Sequence, residues 1–120
     1  MKFKDFEEAV ARTENPELTE DQKASNWALG IAGEAGEVVE LIKKHLYHGK
    51  PLDLCDLEKE LGDVLYYVQA MCNLYGLEFE GCMDFNVLKL KERYPNGFVK
   101  GGGVRNKNAP VNNDNEDDGN

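Results

Sequence analysis

The chain has 120 residues, which suits one compact domain and is too short for two domains of ordinary size. Its 23 acidic and 14 basic residues give a formal net charge of −9 at pH 7. A nucleic-acid-binding protein normally carries a clustered basic surface, whereas the densest basic cluster here is the pair Lys43-Lys44. We therefore expect no nucleic-acid partner, and an anionic substrate needs metal ions to bind so acidic a protein.

Four segments show helical periodicity, and the few β-branched residues never alternate with polar residues over the length of a strand. Stop signals such as Asn15-Pro16, Gly49, Gly76 and Pro95 separate these segments. The sequence therefore predicts an all-α fold, with helices over about residues 4–12, 19–47, 53–75 and 79–93.

The composition changes at residue 101, where three successive glycines begin a segment with six asparagines and four acidic residues. Val104 and Val111 are its only large apolar side chains, so it cannot bury enough surface to offset the entropy of ordering. We expect residues 1–100 to form the folded domain and residues 101–120 to be a disordered acidic tail.

The N-terminal residues carry charges where a secretory signal needs an apolar core, and no later stretch approaches the roughly 18 apolar residues of a membrane span. The sequence therefore predicts a cytoplasmic protein that has no membrane partner. The three cysteines, Cys55, Cys72 and Cys82, lack C-x-x-C spacing and are odd in number, which predicts buried, reduced thiols.

Two pairs of acidic residues at i, i+3 spacing lie on the two longest predicted helices, Glu34 with Glu37 and Glu60 with Asp63. At about 100° per residue, each pair borders an apolar stripe at the same angle. The stripe of the second helix consists of Trp27, Ile31, Val38, Ile42 and Leu46, and that of the third consists of Leu57, Leu61, Val64, Val68 and Met71.

A short connection favours antiparallel packing of these two helices, which brings the four carboxylates to one cleft. Such a cluster repels itself unless divalent cations neutralise it, and hard oxygen ligands suit Mg²⁺ or Mn²⁺ better than zinc. A solvated acidic helix face is the alternative interpretation. Gly30, Gly33 and Gly36 each cost about 1 kcal/mol inside a helix, so they indicate either close helix packing or room for a ligand.

Asn86, Lys89 and Arg93 form a polar stripe on the fourth predicted helix. Such a stripe is usually plain solvent-exposed surface, but beside a carboxylate and metal site it would bind phosphate oxygens. Trp27 is predicted to lie in the core, with stacking on a nucleobase as the alternative, and Tyr67 follows the second acid pair by one helical turn.

These motifs resemble the MazG-type all-α nucleoside triphosphate pyrophosphohydrolases, whose hallmark is E-x-x-E on one helix and E-x-x-D on the next. The motifs read E-A-G-E at residues 34–37 and E-L-G-D at residues 60–63. The likeness begins at the W-A-L-G-I-A-G run of residues 27–33 and extends to N-V-L-K-L-K-E-R-Y-P-N-G-F at residues 86–98. It covers roughly residues 20–98.

The resemblance implies a four-helix bundle that forms homodimers or homotetramers, with active sites near the subunit interfaces. It also implies Mg²⁺-dependent cleavage of an NTP or dNTP between the α and β phosphates, giving a monophosphate and pyrophosphate. By the same analogy, Glu34, Glu37, Glu60 and Asp63 hold the metal. The residues Asn86, Lys89, Arg93, Tyr67 and Trp27 are the expected contacts of the substrate.

Three other functions fit parts of the pattern. A carboxylate-bridged di-iron protein uses similar positions in a helical bundle, but it usually requires E-x-x-H pairs, which this chain lacks. A non-catalytic helical interaction module would explain an acidic face without chemistry. A related enzyme that acts on phosphoribosyl-ATP shares the fold of the family, so that substrate also stays open.

Overall fold

The computed structural model describes residues 1–101 and shows four α-helices and no β-strand within them. The helices are α1 (Phe3–Ala11), α2 (Glu20–Tyr47), α3 (Leu54–Tyr75) and α4 (Phe79–Arg93). The all-α prediction is confirmed, and every helix end lies within one residue of its predicted position. Apart from Gly101, the predicted tail lies outside the described residues.

Local sequence explains where the two long helices begin and end. At the start of α2, the Thr19 hydroxyl accepts a hydrogen bond from the Gln22 N–H, and the Gln22 side chain accepts one from the Thr19 N–H. The Asp53 carboxylate accepts backbone hydrogen bonds in the first turn of α3. At the other end of α3, Gly76 adopts a left-handed conformation (φ +65°), which terminates the helix.

The described chain forms two packing units, residues 1–83 and the segment from residue 84 onward. The first unit contains α1, α2, α3 and the first turn of α4, and its core centres on Val10, Trp27 and Ala70. Half-buried side chains pack around this core, namely Phe6, Leu18, Tyr66, Tyr67, Met71 and Leu74. The Thr13 hydroxyl, just beyond α1, shares a hydrogen bond with the Tyr66 hydroxyl on α3.

Helices α2 and α3 pack antiparallel. Gly30 of α2 lies against the ring of Tyr67, and one turn later Glu34 lies beside Glu60 and Asp63, which precede Tyr67 on α3. Successive contacts therefore move towards the C-terminus of α2 and towards the N-terminus of α3, which is the predicted antiparallel arrangement. A Cβ atom at Gly30 would overlap the Tyr67 ring, so this glycine is explained by close helix packing.

Four side chains are more exposed than the sequence predicts. Leu46 and Leu61 belong to the predicted buried stripes, yet they are 63% and 46% exposed. Cys55 and Cys82 are also exposed, so the expectation of three buried thiols is wrong except for Cys72. Leu46, Cys55 and Cys82 lie in the first or last turn of a helix, where fewer neighbouring residues cover a side chain.

The second unit holds most of α4 and the segment that follows it. Tyr94 and Phe98 approach each other with their ring centroids 6.4 Å apart, and they line an apolar cavity together with Val87, Leu90 and Lys91. Gly97 adopts a positive φ of 83° between them. Within residues 1–101, no helix combines the length and the apolar character that crossing a bilayer requires.

We expect Gly30→Ala to destabilise the protein by about 1–3 kcal/mol, since the new methyl group overlaps the ring of Tyr67 in a half-buried contact. Gly33→Ala is the matched control on the same helix, because no other part of residues 1–101 lies within 4 Å of its Cβ position. This control gains helix propensity, by up to about 1 kcal/mol. Chemical denaturation of the two variants measures both changes, and equal stability changes would contradict the packing explanation.

Candidate metal centre

Three carboxylates converge where α2 crosses α3. Glu34, Glu60 and Asp63 each place one oxygen so that the three atoms lie within 4.8 Å of one another. Glu34 and Glu60 are half-buried and Asp63 is exposed. Because Glu60 and Asp63 are three residues apart on α3, both face α2, and the antiparallel contact supplies Glu34 as the third member. We call this group the carboxylate cluster.

Glu37 differs from the other three predicted acids. Its side chain is exposed and lies outside the carboxylate cluster in this structure. It is still near enough for its negative charge to contribute to the raised pKa of Glu60. Its role as a metal ligand therefore stays a prediction that requires a side-chain rearrangement.

The crowding of negative charge is visible in the pKa of Glu60, which lies above the ordinary value of 4.5. Partial burial of the carboxylate is the largest cause, followed by the charges of Asp63, Glu34 and Glu37. A hydrogen bond with Glu34 also favours the protonated form. The cluster thus carries more negative charge than its surroundings stabilise.

The chemistry of the cluster fits a hard divalent cation. All of its donors are carboxylate oxygens, which Mg²⁺ and Mn²⁺ prefer, and a positive ion would relieve the repulsion that raises the pKa of Glu60. Part of the cluster is exposed at Asp63, which leaves access for a ligand that contributes further oxygens.

The two aromatic residues of the predicted site lie beside the cluster on the core side. Tyr67 is half-buried and meets Trp27 with ring centroids 6.1 Å apart. Trp27 is only 7% exposed, in keeping with its predicted place in the core. Its indole Nε1 is buried and has no hydrogen-bond partner among residues 1–101. Both rings thus fill the space between α2 and α3 one to two turns from the acids.

The three polar residues predicted to bind phosphate lie on α4, in the second packing unit. Asn86, Lys89 and Arg93 are all exposed. Their i, i+3, i+7 spacing places them along one side of the helix, as predicted. Their approach to the carboxylate cluster stays a prediction.

The pattern of acids and helices has a counterpart among known proteins. Residues 22–98 match the family model described as the MazG nucleotide pyrophosphohydrolase domain. The chain belongs to the MazG nucleotide pyrophosphohydrolase family. The matched range contains both acid pairs and the polar stripe of α4, but it leaves out α1.

One curated relative of this MazG family member is the Gene 37 protein of Mycobacterium phage L5. The two are 33% identical over 79 residues, which is 62% of this chain and 69% of the relative. The name of that relative states no activity. No solved structure is significantly similar to the chain.

Sequence reasoning missed one contact that helps to position the site, the hydrogen bond between Thr13 and Tyr66. Tyr66 meets the neighbouring Tyr67 edge-on, with ring centroids 5.1 Å apart. The segment after α1 is thus linked to the aromatic residues beside the carboxylate cluster. No periodic signal could have indicated a pair of hydroxyl groups 53 residues apart.

The raised pKa of Glu60 predicts a pH dependence of stability in the metal-free protein. The folded state binds this proton more tightly than the unfolded state, whose pKa is near 4.5. The stabilising contribution is therefore fully present below pH 4.5 and is lost as pH rises through the folded pKa. Denaturation with a chelator present should show that Glu60→Gln reduces this dependence. An unchanged pH profile would mean that Glu60 is not crowded by its neighbours.

Proposed function

We propose that this protein is a Mg²⁺-dependent nucleotide pyrophosphohydrolase that acts in the cytoplasm, with Mn²⁺ as a possible substitute. It cleaves an NTP or dNTP between the α and β phosphates to give the monophosphate and pyrophosphate. The observation that carries this proposal is the carboxylate cluster at the α2/α3 contact, within the segment that matches the family model. A purely interacting module has no need of crowded, mutually repelling acids.

Glu34, Glu60 and Asp63 would hold the metal, and Glu37 would join them by rotating its exposed side chain. When bound, Mg²⁺ supplies positive charge to the triphosphate and to the leaving pyrophosphate, and it lowers the pKa of a bound water. The negative charge of the four carboxylates would attract the cation to this site. One of the four carboxylates would also accept the proton of the attacking water.

The other proposed contacts would bind the phosphates and the base of the substrate. Lys89 and Arg93 would offset charge on the polyphosphate, and the guanidinium can bond two phosphate oxygens at once. Asn86 would orient the phosphates or bond the base. Tyr67 and Trp27 would line the base side of the site, where Trp27 contacts a base only if the core around it shifts.

The proposed reaction is tested by incubating the protein with Mg²⁺ and a panel of ordinary and modified nucleoside triphosphates, with phosphoribosyl-ATP included. Chromatography of the products should show a monophosphate and pyrophosphate from at least one substrate. Activity should vanish with a chelator and return with Mg²⁺ or Mn²⁺. Orthophosphate as the direct product, or activity that is indifferent to chelation, would contradict the proposal. Turnover of phosphoribosyl-ATP and of no other substrate would instead favour the alternative that the protein is the related phosphoribosyl-ATP enzyme.

Variants of the acids distinguish ligands from ordinary surface charge within the same assay. Exchanging each of the four acids for the matching amide should lower turnover by orders of magnitude while the metal-free protein stays at least as stable. Glu40→Gln and Glu58→Gln are matched controls, because both residues are exposed on the same helices and lie outside the cluster. Small and equal effects at all six positions would favour the interaction module.

We also propose that the protein works as a homodimer or homotetramer. The buried core of the first unit is small, while apolar side chains are exposed along both long helices. Leu54, Leu61 and Leu65 share one face of α3. On α2 an exposed face is formed by Ala28, Ala32, Ala35, Val39 and Leu46. The small residues of one face allow close approach of the bulky residues of the other, which suits a second copy of this chain.

Sedimentation at micromolar concentration should therefore show a dimer or tetramer. Leu61→Lys places a charge in the exposed α3 face and should shift the distribution towards the monomer, because the buried ammonium group would lack a partner. Asp56→Asn, at an exposed position on another side of α3, raises the net charge by the same one unit and controls for a change of charge alone. A strict monomer for the unaltered protein would contradict the oligomeric proposal.

A further inference from the structure

Two of the three cysteines lie next to each other in the structure although the sequence separates them by ten residues. The Sγ atoms of Cys72 and Cys82 are 3.7 Å apart. Cys72 lies near the end of α3 and is 3% exposed, whereas Cys82 lies in the first turn of α4 and is exposed. Neither thiol takes part in the carboxylate cluster.

The chain turn between α3 and α4 produces this pairing. The N–H groups of Gly76 and Leu77 both donate to the carbonyl oxygen of Cys72, which closes α3 with a left-handed glycine. The Cys82 N–H then donates to the carbonyl oxygen of Glu78 in the first turn of α4. The pair lies entirely within residues 1–83, so its geometry depends on one packing unit.

We propose that Cys72 and Cys82 form a reversible oxidation site, a dithiol that closes to an intramolecular disulfide when it meets a small-molecule disulfide of the glutathione type. A disulfide has an S–S distance of about 2.05 Å, so the two sulfurs must approach each other by about 1.7 Å from their present 3.7 Å. Rotation of the exposed Cys82 side chain about χ1 supplies such a movement.

The oxidation balances as two thiol–disulfide exchanges. The thiolate of Cys82 attacks one sulfur of the small disulfide, forming a mixed disulfide and releasing the first small thiolate. The thiolate of Cys72 then attacks the Cys82 sulfur, which forms the internal bond and releases the second small thiolate. The two cysteines lose two electrons and two protons, and the small disulfide becomes two thiols. Excess small thiol reverses both steps.

The burial of Cys72 and its raised pKa explain why Cys82 reacts first. Only Cys82 is open to a reagent in solvent, since Cys72 is buried. Burial, together with the hydrogen bond and the charge of Cys82, raises the pKa of Cys72 to about 11. Burial, the largest of these causes, persists when Cys82 is in the mixed disulfide, so little Cys72 thiolate forms at neutral pH and the closing step becomes faster as pH rises.

Cys55 provides a built-in control. It lies in the first turn of α3, 17 residues before Cys72, which corresponds to about 25 Å along the helix. It therefore cannot reach either member of the pair within one folded chain. Oxidation should join Cys72 to Cys82, whereas exposed Cys55 forms only a mixed disulfide with the small thiol.

The test is to equilibrate the full-length protein with oxidised glutathione at pH 8, alkylate the remaining thiols with iodoacetamide, and measure the intact mass. In the unaltered protein we expect at most one alkylated cysteine in the oxidised sample, because exposed Cys55 also exchanges with glutathione, and three after treatment with dithiothreitol. An internal disulfide leaves no glutathione on Cys72 or Cys82. Cys55→Ser should still lose two thiols, whereas Cys82→Ser should lose none to an internal disulfide. Peptide mapping of the unaltered protein should join the Cys72 and Cys82 peptides. The closing rate should rise with pH between 7 and 9.

Three results would overturn the proposal. One is the persistence of three alkylatable thiols after equilibration. Another is a stable mixed disulfide at Cys82 that never closes at any pH in this range. The third is a disulfide through Cys72 or Cys82 that joins two chains, seen as a dimer of Cys55→Ser on a non-reducing gel. Because Cys82 is exposed, Cys82→Ser should fold normally, and a melting curve confirms that its result reports on the thiol.

Discussion

The contact between Gly30 and the ring of Tyr67 sets the alignment of the two long helices. Gly30 lies one turn before Glu34, and Tyr67 lies one turn after Asp63. When the two helices pack antiparallel with the Tyr67 ring against Gly30, Glu34 and Asp63 therefore lie next to each other. The carboxylate cluster is therefore a consequence of how closely α2 approaches α3. A larger residue at position 30 would move the carboxylate cluster as well as the core.

The cost of this arrangement is electrostatic. Three carboxylate oxygens within 4.8 Å of one another repel, and the raised pKa of Glu60 is the direct result of partial burial and of its acidic neighbours. A folded protein keeps such a group when a cation or a reaction depends on it. The carboxylate cluster lies within the segment that matches the MazG family, so the crowded acids and the family likeness concern the same residues.

The α3/α4 turn shows how a local chain reversal places reactive groups together without any link to the acids. Gly76 ends α3 with a positive φ, and the returning chain puts Cys82 over Cys72. The environment then distinguishes two identical side chains: one thiol is exposed, and the other is buried with a raised pKa. Chemical reactivity at this pair is decided by packing, not by residue type.

The sequence by itself determined the helices, because periodicity, the Thr19 and Asp53 caps, and the glycine and proline stops are local signals. The short connection also predicted the antiparallel pairing of α2 and α3. Because i, i+3 spacing fixes the face of a helix, the sequence predicted that the acids converge, and three of the four predicted acids do meet. Only the tertiary structure decided that Glu37 stands apart, that Leu46 and Leu61 are exposed, and that Cys72 meets Cys82. Those outcomes depend on which neighbours cover each turn, and helical periodicity carries no information about distant neighbours.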